Sequence, residues 1–280
     1  MSSASRNAVA TTCAALVTAV IAASGALGAV SSEARRSSKS EVGAKEPQDF
    51  RGAGRGRRPV PVVESAKAGY DGRFAFMRLQ YGAADLRMMR REPPWAHDFP
   101  RADFHFMKIL SELTFTRTFV DQGNIRTLDD PDLALFPIAY MSEPGFWTMN
   151  EAEAAGLRAY LQKGGFIIFD DFRENHRDNL VFQMRHVLPD ARWVPLDATH
   201  PIFHSFFEIN SLDLDGYYGP AEWTGLFEDN DPAKRLMAVA NYNHDLGEMW
   251  EFSDTGYMPV DLSNEAYKFG VNYVIYAMTH

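Results

Sequence analysis

Two carboxylates stand side by side, Asp170 and Asp171, at the end of the apolar run Phe166-Ile167-Ile168-Phe169. Burial and mutual repulsion raise the pKa of at least one member of such a pair. That suits it to act as a general base or as a ligand for a hard metal ion. The competing role is structural, with one carboxylate capping the next helix while the other faces water. Neighbouring strand residues point to opposite faces, so both reach one site only if the backbone turns between them.

Three further segments carry polar chemistry. Tyr140 to Gly145 (YMSEPG) leaves an apolar run and offers Tyr140 and Ser142 as ligand contacts. Asn241 to Glu251 (NYNHDLGEMWE) offers Asn243, Asp245 and Glu251. The same stretch also reads as a tight turn, since Asn and Asp satisfy turn backbones and Gly supplies positive φ. In His200-Pro201-Ile202-Phe203-His204 the histidines stand four apart, the spacing of a helical zinc pair. Pro201 pushes His200 out of helical geometry, so the spacing argues little for zinc. His200 alone remains an acid–base candidate, and His204 reads as a surface or core residue. The aromatics Phe203, Phe206, Phe207, Tyr217, Tyr218 and Trp223 read as core before they read as a sugar-stacking surface. No cofactor is expected, and the metal content is left open.

The elements that must position these residues alternate along the chain. Phe74 to Tyr81 reads as a first strand, and Ala102 to Leu113 as a helix with Phe106, Ile109, Leu110 and Leu113 on one face. Leu133 to Tyr140 is a continuous apolar run, the pattern of a strand covered on both faces. Asn150 and Glu153 form a capping box for a helix that stops at Gly164-Gly165. The strand Phe166 to Asp171 follows, then a helix over Asn179 to Leu188, a strand over Leu236 to Asn241 and a last helix over Asn264 to Met278. Strands and helices joined by short connections predict an α/β domain with a mainly parallel sheet and helices on both sides. In such sheets ligands bind beyond the carboxyl ends of the strands.

The ends and the charge set the context. Arg6 precedes an uncharged stretch, residues 8–30, that closes on Ala26, Gly28 and Ala29. This is the pattern of a signal peptide over residues 1–34, with an N-terminal membrane anchor as the rival. Residues 35–69 read as a disordered basic linker, and 70–280 as one domain of about 210 residues, enough to bury a core. Residues 35–68 hold nine Lys/Arg against four Asp/Glu, and with residues 1–34 neutral the domain carries −14 of the net −9. An acidic domain argues against nucleic acid as a partner. The only cysteine, Cys13, lies in the leader, so the exported chain has no thiol for a disulfide, a metal or catalysis. No G-x-S-x-G elbow, P-loop, G-x-G-x-x-G after a strand or H-E-x-x-H is present, which excludes the ordinary enzymes built on them.

Taken in order, RLQYG at the first strand, L-x-x-GGF-x-x-x-DD at Leu161 to Asp171, HPIFHSFF at His200 to Phe207 and NYNHDLGEMWE make the chain resemble the exported bacterial domain-of-unknown-function 4159 family. The resemblance implies a class I glutamine-amidotransferase-like fold, a flavodoxin-like three-layer α/β/α sandwich. The H-P-I segment is also similar to the trehalose-utilisation-like branch of that superfamily. It does not imply the amidotransferase reaction, because Asp170 and Asp171 occupy the stretch where a cysteine nucleophile would stand. The expectation is an exported periplasmic or envelope-associated domain that binds a carbohydrate or an envelope protein, touching the membrane only through an uncleaved N-terminal segment. The alternative is a metal- or carboxylate-dependent hydrolase acting on carbohydrate, with Asp170 or Asp171 as base and His200 as its acid–base partner. Whether the protein is an enzyme is left open.

Overall fold

Short buried strands alternate with amphipathic helices in a computed structural model that describes residues 67, 69–85, 87, 89, 93–120, 124–216 and 219–280. All fall within the unit spanning Gly56–His280. The expected signal segment, nearly all of the linker, and Cys13 lie outside the described residues, as do Tyr217 and Tyr218.

The order is β1 (Met77–Gln80), β2 (Gly82–Ala83), α1 (Arg101–Leu113), β3 (Asn124–Thr127), β4 (Ile138–Ser142), β5 (Trp147–Thr148), α2 (Glu151–Gln162) and β6 (Phe166–Phe172). Then come α3 (His176–Val187), β7 (Val194–Pro195), β8 (Asp215–Gly216), β9 (Gly219–Pro220), β10 (Glu222–Phe227), β11 (Leu236–Tyr242), α4 (Leu246–Glu251) and α5 (Val260–Thr279). Seven strands form one sheet in the order β3-β1-β4-β6-β11-β10-β7. The first five run parallel, while β10 is antiparallel to β11 and β7 to β10. The chain leaves β1 for one neighbour, β3, and returns to the other, β4, so the strand order turns at β1.

Local chemistry explains the best-defined elements. The Asn150 side chain accepts from the backbone N–H groups of Ala152 and Glu153 while Glu153 reaches back to Asn150, closing the expected capping box. Gly164, at φ +108°, ends that helix turn in a conformation other residues avoid. Every residue of β4 and β6 is buried, because both faces of the sheet are covered. One face gathers Phe76, Ile138, Tyr140, Ile168 and Val239 with Phe106 and Leu110 of α1 and Phe269 and Tyr273 of α5. The other gathers Leu79, Met141, Ile167, Phe169 and Ala238 with Leu157 and Leu161 of α2 and Leu180 and Met184 of α3. Each large apolar side chain so buried contributes about 1.5–3 kcal/mol.

Differences from the expected elements have physical reasons. The run Leu133 to Tyr140 is not one strand. Asp130 caps a 3-10 turn over Pro131–Leu135, and pairing begins only at Ile138, after Pro137. Helices α3 and α5 start at His176 and Val260, earlier than their apolar faces indicate. Among the described residues no helix is long and apolar enough to cross a membrane.

Candidate functional site

The carboxyl ends of β4, β6 and β11 meet at one edge of the sheet, and β6 turns there. Asp171 has φ +53°, and the register between β6 and β11 shifts between Ala240 and Tyr242, opposite the two aspartates. The backbone therefore breaks the strand alternation between Asp170 and Asp171, the condition under which both carboxylates serve one edge.

Asp170 is fully buried and accepts four hydrogen bonds. Its Oδ1 accepts from Asn241 Nδ2 at 2.9 Å. Its Oδ2 accepts from Tyr140 Oη at 2.8 Å and from the backbone N–H groups of Leu246 (2.8 Å) and Gly247 (3.2 Å). Burial pushes its carboxyl up to about 7, against the pull of the Asn241 and Tyr140 donors. Tyr273 Oη donates to Asn241 Oδ1 at 2.9 Å, extending the network to α5. Asp170 thus does cap a helix, but that helix is α4, not the α3 that follows it in the chain.

Asp171 faces a different partner. Its Oδ2 lies 2.9 Å from His97 Nδ1, and its Oδ1 lies 3.6 Å from Arg173. His97 also stands 3.4 Å from Asp98. Burial alone would lower the imidazole pKa, yet Asp98 and Asp171 raise it. The loop carrying His97 and Asp98 is fixed from below by Arg78 of β1. Arg78 Nη1 donates to the carbonyls of Trp95 (3.2 Å) and His97 (2.9 Å), and the rest of the buried guanidinium clasps Asp103 of α1. Its carbon sits 4.9 Å above the Tyr140 ring.

Asp245 closes the cluster from above. Its Oδ1 caps α4 through Glu248 N at 2.8 Å, and burial together with Asp171 and Asp98 raises its carboxyl well above the usual range. Gly247 lets the loop and α4 meet, since a Cβ there would lie 2.5 Å from Asp98 Oδ2 and 2.9 Å from Tyr140 Oη. One ligand atom from each of His97, Asp98, Asp171 and Asp245 falls within 4.8 Å of the others, and the three aspartates are buried. Asp98 forms a second such group with Glu248 and Glu251. Glu143, at φ +46°, borders the cluster, and its carboxyl is pushed up to about 8 by burial and by Asp171.

The residues singled out from the sequence therefore separate. Asp170, Asp171, Tyr140, Asp245 and Glu251 come together at this edge. Ser142 ends β4 opposite Asp170 and is fully buried. Asn243, at φ +57°, donates from its side chain to the Pro220 carbonyl and takes part in the expected turn. His200 stands at the opposite edge: it packs 5.8 Å from the rings of Phe227 and Tyr276, and Phe227 pairs with Leu236, where β11 begins. Its ring accepts from Ile202 N and caps a 3-10 turn, so it makes no pair with Asp170 or Asp171. His204 holds Glu208 and the Ala198 carbonyl at the surface. Phe203 and Trp223 are core, Phe203 meeting Phe269 edge-on and Trp223 stacking on it.

The sequence reading missed His97, Asp98, Arg78 and Asp103. A charge inside the apolar run FAFMRLQY was the available signal for Arg78, because a buried guanidinium demands a partner. His97-Asp98 sits in the proline-rich stretch PPWAHDFP, where no periodicity marks an element.

A mainly parallel sheet with a carboxylate–imidazole cluster beyond the carboxyl ends of its central strands defines an α/β domain with its site where such sheets carry ligands. The chain belongs to the family described as domain of unknown function (DUF4159), whose model matches residues 75–278 and so takes in the whole cluster. No curated protein compared with it matches.

Proposed function

We propose that this is a ligand-binding domain of the bacterial cell envelope, and that it takes up carbohydrate at the edge formed by His97, Asp98, Asp171 and Asp245. The observation that carries this reading is the convergence of those four side chains within 4.8 Å beside the strands next to the turn in strand order. An ionised carboxyl group accepts and a protonated one also donates, and the hydroxyl groups of a sugar can match either role. The fold we assign is the flavodoxin-like three-layer sandwich of the class I glutamine-amidotransferase-like proteins. The strand order and the helices on both faces support it. The reaction of that class is not proposed, because residues 69–280 contain no cysteine. Export rests on the uncharged run over residues 8–30 behind Arg6.

The test is binding of isolated envelope polysaccharide to the purified protein and to Asp245→Asn. We expect measurable binding that weakens at least about tenfold in the variant, a loss of roughly 1.4 kcal/mol. Absence of binding by the unaltered protein, or equal binding by the variant, overturns the reading.

A further inference from the structure

We infer that this edge holds a divalent cation of the manganese or zinc type, liganded by His97, Asp98, Asp171 and Asp245. The inference rests on the proposed function in taking the edge as the working site, and it adds what would bridge the aspartates to a ligand.

Size is the first argument. Metal–ligand bonds of about 2.0–2.4 Å place opposing ligands roughly 4.0–4.8 Å apart. The four ligand atoms lie within 4.8 Å of one another, the spread of a shell around one ion. Chemistry is the second. One imidazole and three carboxylates, with no thiolate, make a mixed nitrogen and oxygen set. Imidazole favours zinc and its neighbours over magnesium and calcium, and carboxylates favour manganese.

A separate observation points to a missing partner at the same place. The Ser142 hydroxyl is fully buried and has no hydrogen-bond partner among the described residues. Ser142 ends β4, pairs with Asp170, and by strand alternation faces the same side as Tyr140, whose hydroxyl already reaches Asp170. Its hydroxyl is thus directed to the edge where the aspartates meet. A buried polar group left unpaired destabilises the fold. Water carried on a bound cation supplies the partner that the protein does not.

The ligands are also held in advance. Arg78 grips the His97 carbonyl, Asp170 holds the first turn of α4 beside Asp245, and Gly247 admits Asp98. Such outer partners fix the direction of the inner ones and set affinity.

The experiment uses the full chain, stripped by chelator and then titrated with manganese or zinc chloride. Calorimetry and elemental analysis read the stoichiometry, and thermal unfolding reads the stabilisation. We expect one ion per chain, a higher Tm, and affinity weakened at least about tenfold in Asp171→Asn and His97→Gln. Circular dichroism of the stripped variants confirms that they are folded. Ser142→Ala, which leaves the four ligands intact, should bind the ion more weakly by a smaller factor.

If neither ion is retained or shifts Tm, or if folded Asp171→Asn and His97→Gln bind like the unaltered protein, the cation is overturned. Polysaccharide binding that persists without any ion, and is still lost in Asp245→Asn, leaves the proposed function standing alone. Loss of both overturns both.

Discussion

The two faces of the sheet are built from the same strands but differ in kind. Toward α2 and α3, β4 and β6 present Met141, Ile167 and Phe169 to Leu157, Leu161, Leu180 and Met184, an apolar contact throughout. Toward α1 and α5 the same strands present Tyr140 and Asp170. These join Arg78, Asn241 and Tyr273 in a buried polar network that rises to the carboxyl edge. Apolar packing is non-directional and tolerates small shifts, whereas a satisfied network fixes positions. Both faces bury apolar side chains, and the second also places a loop and a short helix around the aspartates.

Removing Arg78 should give the largest effect that separates the faces. Arg78→Ala leaves Asp103 buried without its cation and frees the Trp95 and His97 carbonyls, at a cost of about 3–5 kcal/mol. Leu157→Ala on the other face should cost about 2–5 kcal/mol. In urea unfolding the two should look alike. Under native conditions only Arg78→Ala should also weaken ligand binding; equal binding by both variants would break the distinction.

Asp170→Asn comes next. The amide cannot accept at both ends, so it faces either Asn241 or the Tyr140 and α4 donors with a donor of its own, costing about 1–3 kcal/mol. Because α4 carries Asp245, binding should fall with stability, as a titration of the folded variant would show. Unchanged stability would mean that the network does not hold α4.

His200 sharpens the contrast at the opposite edge, where we expect the smallest effect. Burial lowers its pKa below the ordinary histidine value, so the folded state favours the neutral ring. Its contribution is therefore present above about pH 6.5 and is lost as pH falls below that. The ring is only partly buried, so solvent screening keeps the effect small. His200→Gln should flatten the stability profile below about pH 6.5 and leave ligand binding as it was. A binding defect would return His200 to the site.

How much of this was legible follows from how local each feature is. The capping box at Asn150, the stop at Gly164 and the buried strand Phe166–Phe172 depend on neighbours in the chain, and they fall where the sequence places them. Strands β3, β7 and β10 exist through pairing with distant partners. The first two have only four and two residues, and β10 contains a glycine packed under Leu236 and Leu196. Asp170 and Asp171 were visible as a pair, but their division of labour depends on a left-handed residue and on α4 arriving from later in the chain. The HPIFH spacing drew attention to His200, while His97 lay unmarked among prolines. An isolated histidine carries no sequence signal until the fold shows what faces it.

Gly247 has a consequence of its own. Between the Asp98 carboxylate and α4 there is room for a hydrogen and nothing larger. A Cβ at that position would displace the Asp98 carboxylate or the Tyr140 hydroxyl, both of which belong to the polar network of the site. Residues far apart in the chain therefore share the space that this glycine leaves open. A search for variants with altered ligand preference should begin at Glu248, Glu251 and Glu143 around the rim, and leave the close approach at Gly247 untouched.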